Sequence, residues 1–185
     1  MGITDPTPMS LGFAEARTAR LVCRRPVAGE GADYRRLLLD PSVAAWLRPA
    51  PLPPFRDDEP EALLRKDIAH WDTHGFGPWS LVDRSAGSYV GRGGLAWTHI
   101  GGERLVELPW ALVSERWNEG LATEAATAAI EVARRLRLDE VVSLALIENG
   151  PSRRVMEKAG LTYAGDVEHV GLPHALYRLA LRDAP

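Results

Sequence analysis

One stretch of the sequence limits the possible folds more than any other. Residues 104–113 (RLVELPWALV) have the composition of a strand, and residues 121–137 (LATEAATAAIEVARRLR) have the periodicity of a helix. Residues 140–146 (EVVSLAL) then form a second predicted strand. A helix that connects two strands of one sheet returns the chain in the same direction, so this order requires some parallel pairing. The sequence therefore predicts an α+β domain with a mixed sheet.

The flanking segments extend this prediction to a mixed central sheet of about seven strands with about four helices. Residues 1–17 are expected to form a flexible tail, and residues 18–185 a single domain. The proline-rich residues 48–60 are predicted to form a loop. The other predicted strands are 20–25, 78–84, 88–100, 161–169 and 174–181, and the other predicted helices are 29–40, 42–47, 61–74 and 151–159.

Composition and charge exclude several classes of function. The formal net charge of −3 implies no broad basic surface for nucleic acid, and no apolar run is long enough to span a membrane. The first residues lack the pattern of a secretory signal, so a cytoplasmic protein is expected, as a monomer or homodimer. Cys23 is the only cysteine, which excludes an internal disulfide, and no histidine pair has ligand spacing, so no metal site is expected.

The segment RWNEGLATEA contains a glycine, Gly120, directly before a predicted helix. The first amides of a helix have no partners within it, and together with the helix dipole they form a site for anions. Gly120 permits close approach of a ligand, Ala122 adds little bulk, and Thr123 offers a hydroxyl donor. Because such a site uses backbone groups, Glu119 and Glu124 need not prevent an anion from binding. The alternative interpretation is that Gly120 only ends a loop.

Four segments of the sequence form an ordered series. They are RLVCRRP, GFGPWSLVDRSAGSYVGRGGL, the WNEGLATEA step and IENGPSRRVMEKAGL. In this order they resemble the opening strand, the hairpin, the pyrophosphate loop and the Asn-x-x-Ser segment of the GNAT superfamily, in its branch of ribosomal-protein N-terminal acetyltransferases. The resemblance runs from about residue 18 to residue 181 and implies the GNAT fold, with splayed strands at the acyl-CoA site.

This resemblance implies that the chain binds acetyl-CoA as a co-substrate and transfers the acetyl group to an amine that attacks directly. The pantetheine arm would enter between two splayed strands near Pro109, which lacks an amide donor. Amides of the arm would pair with the backbone of Leu112 and Val113, as in strand addition. The residues expected to bind acetyl-CoA are Leu112, Val113, Trp117, Asn118, Glu119, Gly120, Leu121, Ala122, Thr123 and Asn149.

Two residues are predicted to take part in the chemistry. The resemblance places Glu107 on a strand facing the acceptor, where it would accept a proton directly or through water, although a simple salt bridge is the alternative. Ser152 would offer a hydroxyl near the thiolate, or it is only an N-terminal helix residue. Asn149 either contacts the cofactor or only forms a turn.

Two positions depart from the family pattern. Met156 stands where many members carry a tyrosine that protonates the departing thiolate, and a thioether cannot donate a proton. Asn118 stands where that branch often has glycine, so the entry to the loop is expected to differ.

The acceptor side is less specific. Trp46 and Phe55 could line it, and the acids Asp57, Asp58 and Glu59 could attract a cationic amine, although helix capping also explains these acids. Other residues could contact phosphate or acceptor but also have ordinary structural explanations, and they are Arg116, Arg153, Trp97, His99, His169 and His174.

The predicted function is therefore an N-acetyltransferase that acts on a primary amine, either a protein N-terminus or a small molecule. A non-catalytic acyl-CoA sensor or scaffold of the same fold is the alternative, because Met156 replaces the usual tyrosine. A third hypothesis is an unrelated phosphate-binding domain that uses the same helix terminus.

Overall fold

The computed structural model describes residues 15–182, and these residues fold into two sheets of five strands with five α-helices. The predicted α+β class is confirmed. The strands are β1 (Glu15–Arg17), β2 (Leu21–Arg24), β3 (Pro78–Asp83), β4 (Tyr89–Gly94), β5 (Ala96–Ile100), β6 (Glu103–Glu107), β7 (Trp110–Leu112), β8 (Glu140–Leu146), β9 (Thr162–His169) and β10 (Leu172–Ala180). The helices are α1 (Gly31–Leu38), α2 (Pro41–Leu47), α3 (Glu59–His74), α4 (Leu121–Arg135) and α5 (Gly150–Lys158).

The strands are ordered so that the middle of the chain passes from one sheet to the other. The first sheet has the order β1-β2-β3-β4-β7, and its neighbours are antiparallel. The second has the order β5-β6-β8-β10-β9, in which β6 and β8 are parallel, with Glu107 opposite Val142. Helix α4 makes the crossover before β8. This is the parallel pairing that the strand–helix–strand order predicts.

Three differences from the sequence predictions have physical causes. Residues 15–17, predicted as part of the tail, pair with β2 as strand β1, so the predicted tail is too long by these residues. Residues 88–100 and 104–113, each predicted as one strand, are each divided between the two sheets, at Leu95 and at Leu108–Pro109. These divisions raise the number of strands above the predicted seven. Residues 1–14 of the predicted tail lie outside the described residues.

Helix α4 packs closely against the sheets because its inner face carries small residues. Ala125, Ala129 and Ala133 recur at a spacing of four residues, and each is at most 1% exposed. Leu121 and Ile130 complete this face, and the core that it covers also includes Leu21, Trp79, Leu81, Leu108, Val141 and Met156. The helix that follows Gly120 is therefore fixed by apolar packing along its length.

A glycine allows strands β4 and β7 to lie close together. Gly91 has a φ of 152°, and a Cβ atom added there would lie 2.3 Å from the Ala111 carbonyl oxygen and 2.7 Å from a side-chain carbon of Leu112. Any larger residue would therefore push β7 away from β4. Close approach at Gly91 sets the position of β7, which forms one side of the candidate site.

His70 joins α3 to the strands beneath it. One ring nitrogen, Nδ1, lies 2.8 Å from the Phe76 carbonyl oxygen, and the other, Nε2, accepts the Trp97 N–H at 2.9 Å. This pair of contacts requires a neutral ring with its proton on Nδ1. Burial lowers the pKa of His70. The hydrogen bond to the Phe76 carbonyl acts to raise this pKa, but the effect of burial is larger.

We expect His70 to make folding less favourable in acid. The unfolded chain takes up a proton on this ring below a pKa of about 6.5 while the folded chain does not, so the free energy of unfolding should fall between about pH 7.5 and about pH 5.5. Replacing His70 by glutamine should reduce this slope, as measured by urea unfolding at both pH values. The matched control is His99→Gln, since His99 is exposed. A His70→Gln slope equal to that of the parent would contradict the prediction.

Candidate active site

A gap opens between β7 and β8, the strands on which the two sheets diverge. The Leu108 N–H donates to the Val142 carbonyl oxygen at 2.8 Å, and the buried Ser143 hydroxyl donates to the Leu108 carbonyl at 2.9 Å. After this point β7 pairs with β4 and β8 pairs with β10, so the two strands share no ladder. The divergence coincides with Pro109, which has no amide hydrogen to continue the pairing. The opening predicted at this proline is present.

The register of β7 shows which backbone groups face the gap. The Val113 N–H donates to the Val90 carbonyl at 3.1 Å, and the Val113 carbonyl accepts the Arg116 N–H at 3.0 Å. Both backbone groups of Val113 therefore have a partner within the protein, although its carbonyl oxygen keeps a second lone pair, and its pairing with pantetheine stays a prediction. Because backbone groups alternate along an antiparallel strand, the amides of Trp110 and Leu112 point away from β4, into the gap. Sequence reasoning identified Leu112 but missed Trp110.

The loop between β7 and α4 presents unpaired amides. Gly120 is the N-cap of α4 with a φ of 80°, in the left-handed region that favours glycine, and no side chain caps the helix. The first helical bond runs from the Glu124 N–H to the Gly120 carbonyl at 3.1 Å. The preceding amides, those of Leu121, Ala122 and Thr123, have no hydrogen-bond partner among the described residues. This is the geometry of an anion site at a helix N-terminus.

Trp117 and Asn118 set the shape of this loop. The Trp117 indole N–H donates to the Leu112 carbonyl at 2.8 Å, which ties the loop to the end of β7. The Leu112 carbonyl therefore has a partner within the protein, while its amide points into the gap. Asn118 has a φ of 64°, a conformation that asparagine tolerates better than most residues. Glycine also favours this conformation, so asparagine at position 118 keeps a backbone shape that a glycine could adopt.

The acids around the loop are paired with arginines. Arg20 donates through its backbone N–H and its Nε to the Glu124 carboxylate, at 2.7 Å each, and through Nη1 to the Glu119 carbonyl at 2.7 Å. Arg116 lies 2.9 Å from the Glu119 carboxylate and 3.0 Å from that of Asp83. Their negative charges are thus partly neutralised beside the helix terminus. Arg116, considered as a phosphate ligand, instead has two carboxylate partners.

Glu107 is the last residue of β6, one residue before the sheets diverge. Its neighbours Val106 and Leu108 are buried in the α4 side of the core, so the partly buried Glu107 side chain points to the opposite face, toward α3. Burial raises the pKa of Glu107, while the Arg92 guanidinium and the Thr98 hydroxyl act to lower it. A carboxylate with a raised pKa at this position is suited to accept a proton.

The first turns of α4 and α5 lie at the same edge of the gap, because β7 leads into α4 and β8 leads into α5. Asn149 is the N-cap of α5, and its Oδ1 accepts the Ser152 N–H at 3.1 Å. The turn-forming interpretation of Asn149 is therefore observed, and its contact with a cofactor remains a prediction. Ser152 and Met156 share one face of α5, where Met156 is fully buried and Ser152 is partly exposed.

A buried polar cluster on the α3 side was missed by sequence reasoning. Asp67 accepts hydrogen bonds from Arg92 Nε at 2.5 Å, Arg92 Nη2 at 2.8 Å and the Tyr34 hydroxyl at 2.9 Å. The sequence does contain a signal for it. Asp67 lies between Leu64 and Trp71 on the apolar face of α3, where an unpaired carboxylate would be costly.

Several residues considered for the acceptor or phosphate sites have partners of their own. Asp57, Asp58 and Glu59 pair with Arg35, Arg56 and Arg48 respectively, and the Arg48 guanidinium also lies 4.1 Å from the centre of the Phe55 ring. Asp58 is the N-cap of α3 by position but makes no side-chain capping bond. Arg153 donates hydrogen bonds to Tyr177 and to the Ile147 carbonyl, and the Trp97 ring stacks on the Arg104 guanidinium. The rings of His169 and His174 lie 5.5 Å apart. Trp46 and His99 are exposed.

Within residues 15–182, no group of three or more His, Cys, Asp or Glu side chains is placed to hold a metal ion. None of the helices in that range is long and apolar enough to cross a membrane.

Comparisons with known proteins agree with this geometry. A family model described as an acetyltransferase (GNAT) domain matches residues 20–162. The uncharacterized protein YkkB of Bacillus subtilis (strain 168) is 27% identical over 105 residues, which cover 56% of this chain and 61% of that protein, less than two thirds of its length. A putative GNAT-family acetyltransferase from Bordetella pertussis has a similar structure, with a TM-score of 0.76, 24% identity, and coverage of 90% of this chain and 99% of the other.

A second similar structure was solved with a ligand. It is RimL, a ribosomal L7/L12 α-N-protein acetyltransferase in complex with coenzyme A, with a TM-score of 0.68 and 15% identity, covering 88% of this chain and 95% of the other. At such identities the two solved structures establish the shared fold.

Proposed function

This chain belongs to the GNAT acetyltransferase family, and from that membership we propose that it transfers the acetyl group of acetyl-CoA to a primary amine. The observation that carries the proposal is that β7, which diverges from β8, leads directly into the loop that ends at the unpaired amides following Gly120. The gap has the form needed by an extended arm, and the helix terminus has the donors needed by a pyrophosphate.

The residues of this chain fit acetyl-CoA in three places. The amides of Leu121, Ala122 and Thr123 would donate to the pyrophosphate oxygens, and the Leu112 and Trp110 amides would donate to carbonyls of the arm. Trp117, Asn118 and Glu119 would contribute to acetyl-CoA binding through their backbone groups and through the shape of the loop. That the structurally similar RimL was solved with coenzyme A supports this proposal.

Acetyl-CoA supplies an acetyl thioester, and the protein supplies proton transfer and position. A bond forms between the amine nitrogen and the acetyl carbon, and the carbon–sulfur bond breaks. Glu107 accepts the proton that the amine loses, directly or through water. The departing thiolate takes a proton from water or from the Ser152 hydroxyl, because the buried Met156 cannot donate one.

The acceptor is proposed to be a protein N-terminus or a small amine. The finer assignment to the branch of ribosomal-protein N-terminal acetyltransferases is part of this proposal, supported by the ordered motifs and by the fold shared with RimL. A non-catalytic acyl-CoA sensor or scaffold is the second candidate, and the buried methionine in place of a proton donor favours it.

A panel of amines tests the proposed function. Thiol release from acetyl-CoA would be followed with peptides of different N-termini and with small primary amines, while calorimetry measures coenzyme A binding. Acetylation of any amine, confirmed by mass spectrometry, supports the enzyme. Binding without thiol release from any amine favours the sensor, and absence of binding contradicts both.

We expect Ser152→Ala to lower kcat by about tenfold, a smaller effect than the loss of Glu107, because water can also protonate a thiolate. The amide of residue 152 still donates to Asn149 in this variant, so the helix cap is retained. Steady-state kinetics with the identified acceptor give kcat, and calorimetry should show unchanged coenzyme A affinity. Equal kcat values for variant and parent would remove the Ser152 hydroxyl from the proton path.

A further inference from the structure

We propose that Asp67 and Arg92 form a positioning pair for Glu107, in which Asp67 holds the Arg92 guanidinium away from the Glu107 carboxylate. Glu107 then remains a carboxylate that can accept a proton, rather than one partner of a salt bridge. This inference rests on the proposed function, since the role of Glu107 as a base belongs to that function.

The pair is closely held and almost entirely enclosed. The two oxygens of Asp67 accept from Nε and Nη2 of Arg92, and the Tyr34 hydroxyl adds a third hydrogen bond to the same carboxylate. The Asp67 side chain is 3% exposed and that of Arg92 14% exposed. A two-point contact of this kind fixes the plane and the direction of the guanidinium.

One turn of α3 connects this pair to β5, the strand that pairs with the strand of Glu107. His70 lies three residues after Asp67 on the same side of the helix, and its Nε2 accepts the Trp97 N–H. The preceding residue of β5, Ala96, lies directly opposite Glu107 of β6. Arg92, bound to Asp67, and Glu107, opposite Ala96, are therefore both linked to residues 67–70 of α3, a section of about one helical turn.

The charges around Glu107 explain why the direction of Arg92 matters. Arg92 is the cation that most favours the ionised form of Glu107, and Lys66 acts in the same sense. If Arg92 lost its carboxylate partner, it would bind Glu107 instead and make that carboxylate a weaker base. The groups that act on Glu107 are Arg92 on β4, Lys66 on α3 and Thr98 on β5. Asp67 and His70 lie on the same helix as Lys66, and the apolar Val142 of β8 lies opposite Glu107.

The pKa of Glu107 can be measured without any activity. Protein labelled with ¹³C at the glutamate carboxyl carbons would be titrated by NMR, and the Glu107 signal would be assigned from its loss in Glu107→Gln. We expect Asp67→Asn to lower the pKa of Glu107 by about 1, because Arg92 is then uncompensated. Asp67→Asn combined with Arg92→Gln removes both charges and should return the pKa to the parent value or above it.

Tyr34→Phe is the matched control, because it removes a hydrogen bond from Asp67 and leaves both charges in place, so the pKa of Glu107 should stay at the parent value. A folded Asp67→Asn protein with an unchanged Glu107 pKa would overturn the proposal. If that variant does not fold, the neutral double variant decides, since a pKa below the parent value contradicts the inference. A shifted pKa in a protein that acetylates no amine would support the pair and reject the proposed function.

Discussion

Replacing Glu107 by glutamine is expected to lower kcat by about 10²-fold or more, the range typical of a lost general base. Glutamine has the shape of glutamate but cannot accept a proton at neutral pH. The parent enzyme should also lose activity in acid as Glu107 becomes protonated, and since burial raises its pKa, this loss should begin above the usual range of a carboxylic acid. The acid limb of the pH–kcat profile should be absent in the variant.

The strand that carries Glu107 also provides a control. Glu103 begins β6, is exposed, and lies 3.2 Å from Arg178, so Glu103→Gln should leave kcat unchanged. Coenzyme A binding should be equal in both variants and the parent, because Glu107 is proposed to face the acceptor rather than the pyrophosphate. A Glu107→Gln enzyme with the parent kcat, measured with saturating acceptor across pH, would exclude Glu107 as the base. Deprotonation by water or by the acceptor itself would then explain the reaction.

The parts of the fold that could be predicted depend on local patterns. The bounds of β8 agree with the sequence prediction because a short segment rich in Val and Leu is followed by Asn149, which caps the next helix. Helix α3 ends as predicted because Gly75, with a φ of 71°, closes it. The opening beside Pro109 also follows from a local cause, the missing amide hydrogen. Each of these features can be predicted from neighbouring residues, without knowing which distant segments are in contact.

The parts that could not be predicted depend on contacts between distant segments. The pairing of the Val113 amide with the Val90 carbonyl follows from the register of β4 and β7, which are neighbours in one sheet although two strands of the other sheet lie between them in the sequence. The bond between Asp67 and Arg92 links residues 25 positions apart, and although the place of Asp67 on the apolar face of α3 indicates that it needs a partner, it does not indicate which one. The arginine partners of Asp57 and Glu59, which lie 22 and 11 residues away, have the same character. A sequence identifies such charges but not their partners.

Gly120→Asp is expected to weaken acetyl-CoA binding by tenfold or more, about 1.4 kcal/mol or more. The substituted carboxylate would lie beside the unpaired amides of Leu121, Ala122 and Thr123 and repel the pyrophosphate that those amides are proposed to bind. Space is not the obstacle, since a Cβ atom at residue 120 would meet only Arg20 Nη2, at 3.6 Å. Calorimetry with coenzyme A measures the effect directly.

Gly120→Asn separates the effect of charge from that of shape. Asparagine and aspartate are similar in size and both tolerate the left-handed conformation at φ 80°, so they impose similar strain on the loop. The asparagine variant should therefore bind coenzyme A more tightly than the aspartate variant, and the difference should shrink as salt screens the added charge. If both variants bind with the dissociation constant of the parent, the pyrophosphate does not lie at the start of α4. If both are equally weakened at all salt concentrations, the glycine matters for its conformation alone, and the anion site must be sought elsewhere along the gap.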